Sequence, residues 1–144
     1  MSGRATALRI GMSVWLCVCG FLEPTVMAQV PPRSASAGVF ATEQVKRGES
    51  VYAANCALCH RADMGGKEPA PELAGDKFMS KWRGKSVGEL FARTRTTMPM
   101  GKGGSLSDHE YLDVVAMILD ANGFPSGTQV LPAVQAELDA ITLK

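Results

Sequence analysis

The pentapeptide Cys56-Ala57-Leu58-Cys59-His60 limits what this chain can become more than any other stretch of it. Thiols three positions apart lie on one face of a helical turn. They can add across the two vinyl groups of a single porphyrin while the next residue, an imidazole, is aimed at the iron. The spacing is that of c-type haem attachment. Two other chemistries use close cysteine pairs. A structural zinc site needs four ligands, usually as two closely spaced couples, and outside the N-terminal apolar segment only His60 and the distant His109 could join Cys56 and Cys59. A thioredoxin-like redox pair needs strands alternating with helices, and the flanking segments are patterned as helices.

Four cysteines in 144 residues with a formal charge of +1 would otherwise look like a disulfide question in a nearly neutral protein. Cys17 and Cys19 fall in an apolar run, Ile10 to Leu22, preceded by Arg4 and Arg9 and followed by the small-residue pattern Val26-Met27-Ala28. That order predicts a secretory signal peptide over residues 1–28, cleaved after Ala28, and hence export to the periplasm. The thirteen positions of the run reach only ~20 Å as a helix, short of the ~30 Å hydrocarbon layer, so no stable membrane insertion is expected after cleavage. Neither Leu16 nor Val18 is the small residue that a lipid-modified cysteine would want before it. Removal of Arg4, Arg9 and Glu23 with the signal leaves thirteen basic and thirteen acidic residues. A neutral domain argues against a nucleic-acid binder. Hydrophobic residues at 46% and charged residues at 20% fit one globular core.

Along the exported chain, residues 29–39 are rich in Pro, Ser and Ala, lack periodicity and read as a flexible leader to a domain over 40–144. Thr42 can cap a helix running toward Asn55, with Val45, Gly48, Val51 and Tyr52 on one face. Gly65, Gly66, Pro69, Pro71 and Gly75 break the stretch after His60 into loop. A helical turn is expected over Phe78 to Trp82. Ser86 with Glu89, and Ser107 with Glu110, are capping-box pairs that open two more helices. The second carries Tyr111, Val114, Val115, Ile118 and Leu119 on its apolar face and stops at Asn122-Gly123. A last short helix is expected from Pro132. Sustained strand alternation is absent from the sequence.

Over roughly Phe40 to Pro132 these residues resemble a class I cytochrome c of bacterial type. The resemblance is carried by Gly48 and Tyr52 ahead of the Cys56–His60 pentapeptide, Ala70-Pro71-Glu72-Leu73-Ala74-Gly75, Thr97-Met98-Pro99, and the terminal helix with Val114-Val115-Ala116. It implies a small all-α fold whose first and last helices cross at Gly48, with one covalently bound haem c. The family usually places an aromatic residue at that crossing, where Met117 stands here; methionine is adaptable enough to fill the space. It also implies Met98 as the sixth iron ligand, with His60 the fifth, and Met100 as the neighbour to exclude. Met64, Met79 and Met117 are read as core. Pro71 would accept the second N–H of His60 on its carbonyl, Leu73 would pack on the haem, and Trp82 would donate its indole N–H to a propionate. His109 is read as a solvated surface residue.

A His/Met-ligated haem suits electron transfer, whereas an open sixth position suits ligand binding or oxygen chemistry. The expected function is therefore a periplasmic one-electron carrier rather than an enzyme. The segment Asn122 to Gly127 with Leu131-Pro132 is similar to the end of monohaem cytochromes associated with periplasmic quinoprotein dehydrogenases, which implies a dehydrogenase donor and an oxidase acceptor. A haem protein with a labile sixth ligand and a permanent subunit of an oxidoreductase complex are the alternatives. The near-zero charge hides an asymmetry: residues 77–102 hold seven basic residues against Glu89 alone, and residues 103–144 hold six acidic residues against Lys144. A basic face of that kind could steer an acidic partner toward the haem edge.

Overall fold

The computed structural model describes residues 30–144. The expected signal segment, with Cys17 and Cys19, lies outside the described residues. Six helices follow in order: α1 (Thr42–Asn55), α2 (Ala57–His60), α3 (Asp76–Trp82), α4 (Val87–Thr97), α5 (Asp108–Ala121) and α6 (Gln135–Asp139). A two-residue strand at each end of the described chain, β1 (Arg33–Ser34) and β2 (Ile141–Thr142), pairs in parallel with Arg33 opposite Ile141. The fold is the small, mostly helical one expected of a cytochrome c.

Helices α1 and α5 make the most extensive contact in the molecule, and the sequence explains why they can. A β-carbon on Gly48 would overlap the carbonyl of Asp113 and come within 3.0 Å of the Met117 Cβ, so only glycine lets the backbones meet there. Met117 thus stands at the crossing. Beside it, Arg47 donates two hydrogen bonds, 2.7 and 2.8 Å, to the buried carboxylate of Asp113. This bidentate geometry raises the Arg47 pKa further and ties α1 to α5. Tyr52 of α1 and Tyr111, Leu112, Val115, Ile118 and Leu119 of α5 are buried in the core.

Both predicted capping boxes are present, Ser86 with Glu89 on α4 and Ser107 with Glu110 on α5. The N-terminus of α1 differs from expectation. Ala41 is the cap and makes no side-chain bond there, while the Thr42 hydroxyl donates to Ser126 Oγ at 3.1 Å. A tertiary partner has taken the hydroxyl that local sequence would have given to the helix end.

The larger correction concerns residues 29–39, expected as a flexible leader. From Arg33 onward this segment is part of the fold. Arg33 N–H donates to Ala140 O at 2.8 Å, the Ser34 and Ser36 hydroxyls donate to Lys144 O, and Ala35 and Val39 are buried. Small residues hid the signal: a strand of two residues and a single turn are too short to show periodicity. Similarly, α6 begins at Gln135 and not at Pro132. Among the described residues no helix is long and apolar enough to cross a membrane.

Candidate functional site

Cys56 ends α1, its N–H donating to Tyr52 O at 2.8 Å, and at once begins the single turn α2. Its carbonyl accepts from Cys59 N–H at 3.1 Å and from His60 N–H at 3.0 Å, so both thiols and the imidazole are presented by one helical turn. Burial pushes the Cys56 thiol above its ordinary pKa. That is the reverse of a thioredoxin-type cysteine, whose pKa is lowered to favour the thiolate.

Beyond His60 the chain turns sharply. Arg61 takes a left-handed conformation, φ 66°, which costs a residue with a side chain of order 1–3 kcal/mol and needs outside support. The Tyr52 hydroxyl supplies it, donating to Arg61 O at 2.7 Å. The loop then folds back: Gly66 N–H donates to His60 O at 3.0 Å and Leu73 N–H to Met64 O at 2.8 Å. This return places the carbonyl of Pro71 2.9 Å from His60 Nδ1. The imidazole is buried, and with Nδ1 engaged, Nε2 is the nitrogen left for a metal.

His60 opens onto a cleft of about 1190 Å³. Small-molecule sites usually measure roughly 300–1,000 Å³, so this one has room for a large, flat ligand. Cys56, Cys59, His60, Pro71, Leu73, Trp82 and Met98 all line it, so the structure brings the expected site residues together. Phe78, Leu90, Val114 and Ile118 add to the apolar part of the lining. Trp82 stacks on Phe78 with ring centres 6.0 Å apart, and Lys85 Nζ lies 5.4 Å from the Trp82 ring centre. A paired thiol turn, a tautomer-fixed imidazole and an apolar slot fit a covalently held haem.

Met98 caps the C-terminus of α4, where its N–H donates to Thr94 O at 2.9 Å. Its carbonyl accepts from the Tyr111 hydroxyl at 2.7 Å. Met98 is half-buried; Met100 also borders the cleft but is 72% exposed. Met64 is in the core, Met79 and Met117 pack against it, and His109 is exposed.

Of the seven basic residues between 77 and 102, Lys77, Lys81, Arg93 and Lys102 border the cleft. Lys77 is paired with Glu72 at 2.6 Å, which raises its pKa. Arg95 pairs with Asp108, and Lys85 lies 4.0 Å from Glu89. Among the described residues Lys81, Arg93 and Lys102 have no ion-pair partner.

Two contributions to the site are absent from the sequence reading. The hydroxyls of Tyr52 and Tyr111 each hold a backbone carbonyl next to or at an expected ligand. Asn122, read only as a helix end, donates to Leu73 O at 2.9 Å and accepts from Gly75 N–H at 3.0 Å, fastening the loop that carries Pro71. A tyrosine on an apolar helix face is the available signal, because a buried phenol seeks a polar partner.

The comparisons with known proteins point the same way. A family model described as cytochrome c oxidase, cbb3-type, subunit III matches residues 43–118. The thiosulfate dehydrogenase of Stutzerimonas stutzeri (strain A1501) is 35% identical over 78 residues, covering 50% of this chain and 25% of that protein. The crystal structure of the sulfane dehydrogenase SoxCD from Paracoccus pantotrophus shares the fold at a TM-score of 0.53 and 24% identity, over 79% of this chain and 60% of that chain. The chain thus spans a quarter of one relative and under two thirds of the other. With more than half of its residues matched, and the haem-attachment turn inside the matched region, this chain belongs to the cytochrome c family of the cbb3-type oxidase subunit III.

Proposed function

We propose that this chain is a periplasmic one-electron carrier in which Cys56 and Cys59 hold a single haem c by thioethers and His60 and Met98 are the axial ligands. The bound haem supplies the Fe(II)/Fe(III) couple. The residues do the rest. The observation that carries the reading is the cleft in which a buried His60, with Nδ1 held by Pro71 O, shares its lining with a Met98 whose backbone is hydrogen-bonded on both sides. Two pinned ligand residues keep one coordination set in both oxidation states, which suits carriage of an electron and does not suit substrate binding at the iron. Leu73, Phe78 and Ile118 offer apolar surface to the faces of the bound haem, and Trp82 at the border of the cleft can donate its indole N–H to a propionate. The test is optical: the ferric protein shows the far-red Met–iron charge-transfer band and the reduced protein binds carbon monoxide poorly. A missing band with ready carbon monoxide binding would replace this reading by that of a haem protein with a labile sixth ligand.

The partners are redox proteins: a dehydrogenase that donates and an oxidase that accepts. The unpaired Lys81, Arg93 and Lys102 beside the cleft support docking of an acidic partner face. Electron-transfer rates then fall with rising ionic strength, and a flat salt profile removes the docking face. The segment from Asn122 to Pro132, which suggested quinoprotein dehydrogenases, is occupied with internal bonds through Asn122, Gly127 and Leu131. The 35% identical relative is named a thiosulfate dehydrogenase, which favours a donor acting on an inorganic sulfur compound. Its greater length also favours a second reading, in which this domain is a permanent part of a dehydrogenase complex. Native purification separates the two, since a free carrier elutes at its own mass and a subunit elutes with its enzyme.

A further inference from the structure

The chain contains two tyrosines, and both hydroxyls are spent on carbonyls of the site. Tyr52 serves the turn behind His60. Tyr111 is 1% exposed, in the first turn of α5, and its hydroxyl donates to Met98 O at 2.7 Å. Phenylalanine would fill the same space. The hydroxyl adds a short bond to the carbonyl of the residue whose thioether is read as a ligand, and a longer one, 3.5 Å, that it accepts from Leu106 N–H in the same segment. Both bonds come from a well-anchored place: α5 is fixed by the Ser107–Glu110 capping box, packed along α1, and joined to α4 through Arg95 and Asp108. The segment it holds has few other restraints. Between Met98 and Ser107 the backbone bonds are Lys102 N–H to Pro99 O, Ser105 N–H to Lys102 O and Gly104 N–H to Arg95 O. Gly103 lies so close to Thr96 O that a β-carbon would overlap it.

Resting on the reading of Met98 as sixth ligand, we infer that Tyr111 is a positioning residue that sets the strength of that ligation from α5. Its hydroxyl closes the second of two restraints on the Met98 backbone, the first being Met98 N–H on Thr94 O. With both made, the Met98 peptide planes are fixed and only the side-chain torsions remain free. With the Tyr111 bond removed, the Met98 carbonyl turns to water, the segment 98–105 opens more often, and the sixth position is vacated for a larger fraction of the time.

The experiment uses the haem-loaded ferric protein and imidazole as a competitor for the sixth position. Tyr111→Phe is expected to bind imidazole about three- to tenfold more tightly than wild type, the range that loss of one buried hydrogen bond implies. It should also show a weaker far-red Met–iron band and faster amide exchange over residues 98–105. Tyr52→Phe, which frees Arg61 O instead, should leave imidazole affinity within about twofold. Equal affinity in wild type and Tyr111→Phe overturns the inference while leaving Met98 as ligand. So does an equal gain in Tyr52→Phe, which would mark general loosening. A wild-type protein without the band fails the ligand reading itself, and that failure is visible before any variant is made. Should Tyr111→Phe not load haem, 3-fluorotyrosine at position 111 keeps the ring and strengthens the donor; imidazole binding must then weaken, and unchanged affinity overturns the inference.

Discussion

Around His60 the cleft is held mostly by bonds within residues 52–73, with Asn122 fastening the far end of the loop, whereas around Met98 a single local bond to Thr94 O is completed by Tyr111 on α5. On the His60 side, residues 52–73 restrain one another: Cys56 O takes two N–H groups, Gly66 N–H binds His60 O, Pro71 O binds the imidazole and Tyr52 holds Arg61. The outcome is a buried side chain with one ring nitrogen committed. On the Met98 side the decisive contact is Tyr111, thirteen residues along the chain, and the neighbouring Met100 is 72% exposed. The difference teaches where each half of the site is vulnerable. Damage near His60 should be felt as lost haem and lost fold, and damage near Met98 as a change in coordination within an intact protein.

The strongest way to break that contrast is to remove each of the two residues proposed as ligands. His60→Ala leaves the Pro71 carbonyl without its partner and removes the fifth ligand, so the haem-loaded protein should lose more than about 4 kcal/mol of unfolding free energy, or fail to accumulate. Met98→Ala should cost about 2 kcal/mol, at the low end for a Met truncation because the side chain is only half-buried. It should also lower the reduction potential and open the iron to carbon monoxide. Denaturant unfolding and redox titration of the two variants check both statements. Equal losses would mean that the two sides are equally rigid.

A middle-sized effect sharpens the same contrast. Asn122→Ala removes the bonds to Leu73 O and Gly75 N–H from the loop that carries Pro71, and should cost about 2 kcal/mol. Amide exchange should quicken over 72–76 and stay unchanged over 98–105. Imidazole affinity should not move, because the sixth position is governed elsewhere.

The same split explains how much could be read before any coordinates. The haem-attachment turn, the capping boxes at Ser86 and Ser107 and the glycine at position 48 are signals carried within a few residues, and each stands where it was expected. Met98 is proposed as ligand through resemblance, on the Pro99 that follows it, and no other local feature separates it from Met100 two positions on. What does separate them, the Tyr111 hydroxyl, is a tertiary contact from a residue that reads as core. The segment 33–39 escaped for a related reason: its order depends on Ala140 and Lys144, a hundred or so residues away, and its own small residues carry no period. Thr42 misled because its hydroxyl found Ser126.

Alkaline pH gives a smaller effect confined to the His60 side. Burial, and then the negative charge of Asp63, push the Tyr52 pKa up toward about 12 from an ordinary 10.0; a thioether-bonded Cys56 adds no charge of its own. A raised pKa means that the folded state favours the protonated phenol. The stabilisation is complete below pH 10 and is lost as pH rises through about 12, where a phenolate can no longer donate to Arg61 O. Unfolding free energy should therefore decline over that window, and Tyr52→Phe should flatten that decline at a cost of about 1 kcal/mol at neutral pH. A slope that survives the substitution would place the alkaline weakness outside the His60 turn.

The smallest effect is the most discriminating. Met100→Leu keeps an apolar side chain at a position that is 72% exposed and holds no hydrogen-bonded place in the loop, so stability should change by less than about 0.5 kcal/mol. If Met98 is the ligand, the far-red band and the reduction potential are the same as in wild type. If Met100 is the ligand, this substitution alone abolishes the band, Met98→Ala retains it, and the Tyr111 bond becomes a loop restraint with no bearing on the iron. Two neighbouring thioethers, one on a pinned backbone and one on a free one, thus give opposite spectra from near-silent substitutions, and the contrast between the two sides of the cleft stands or falls on which spectrum changes.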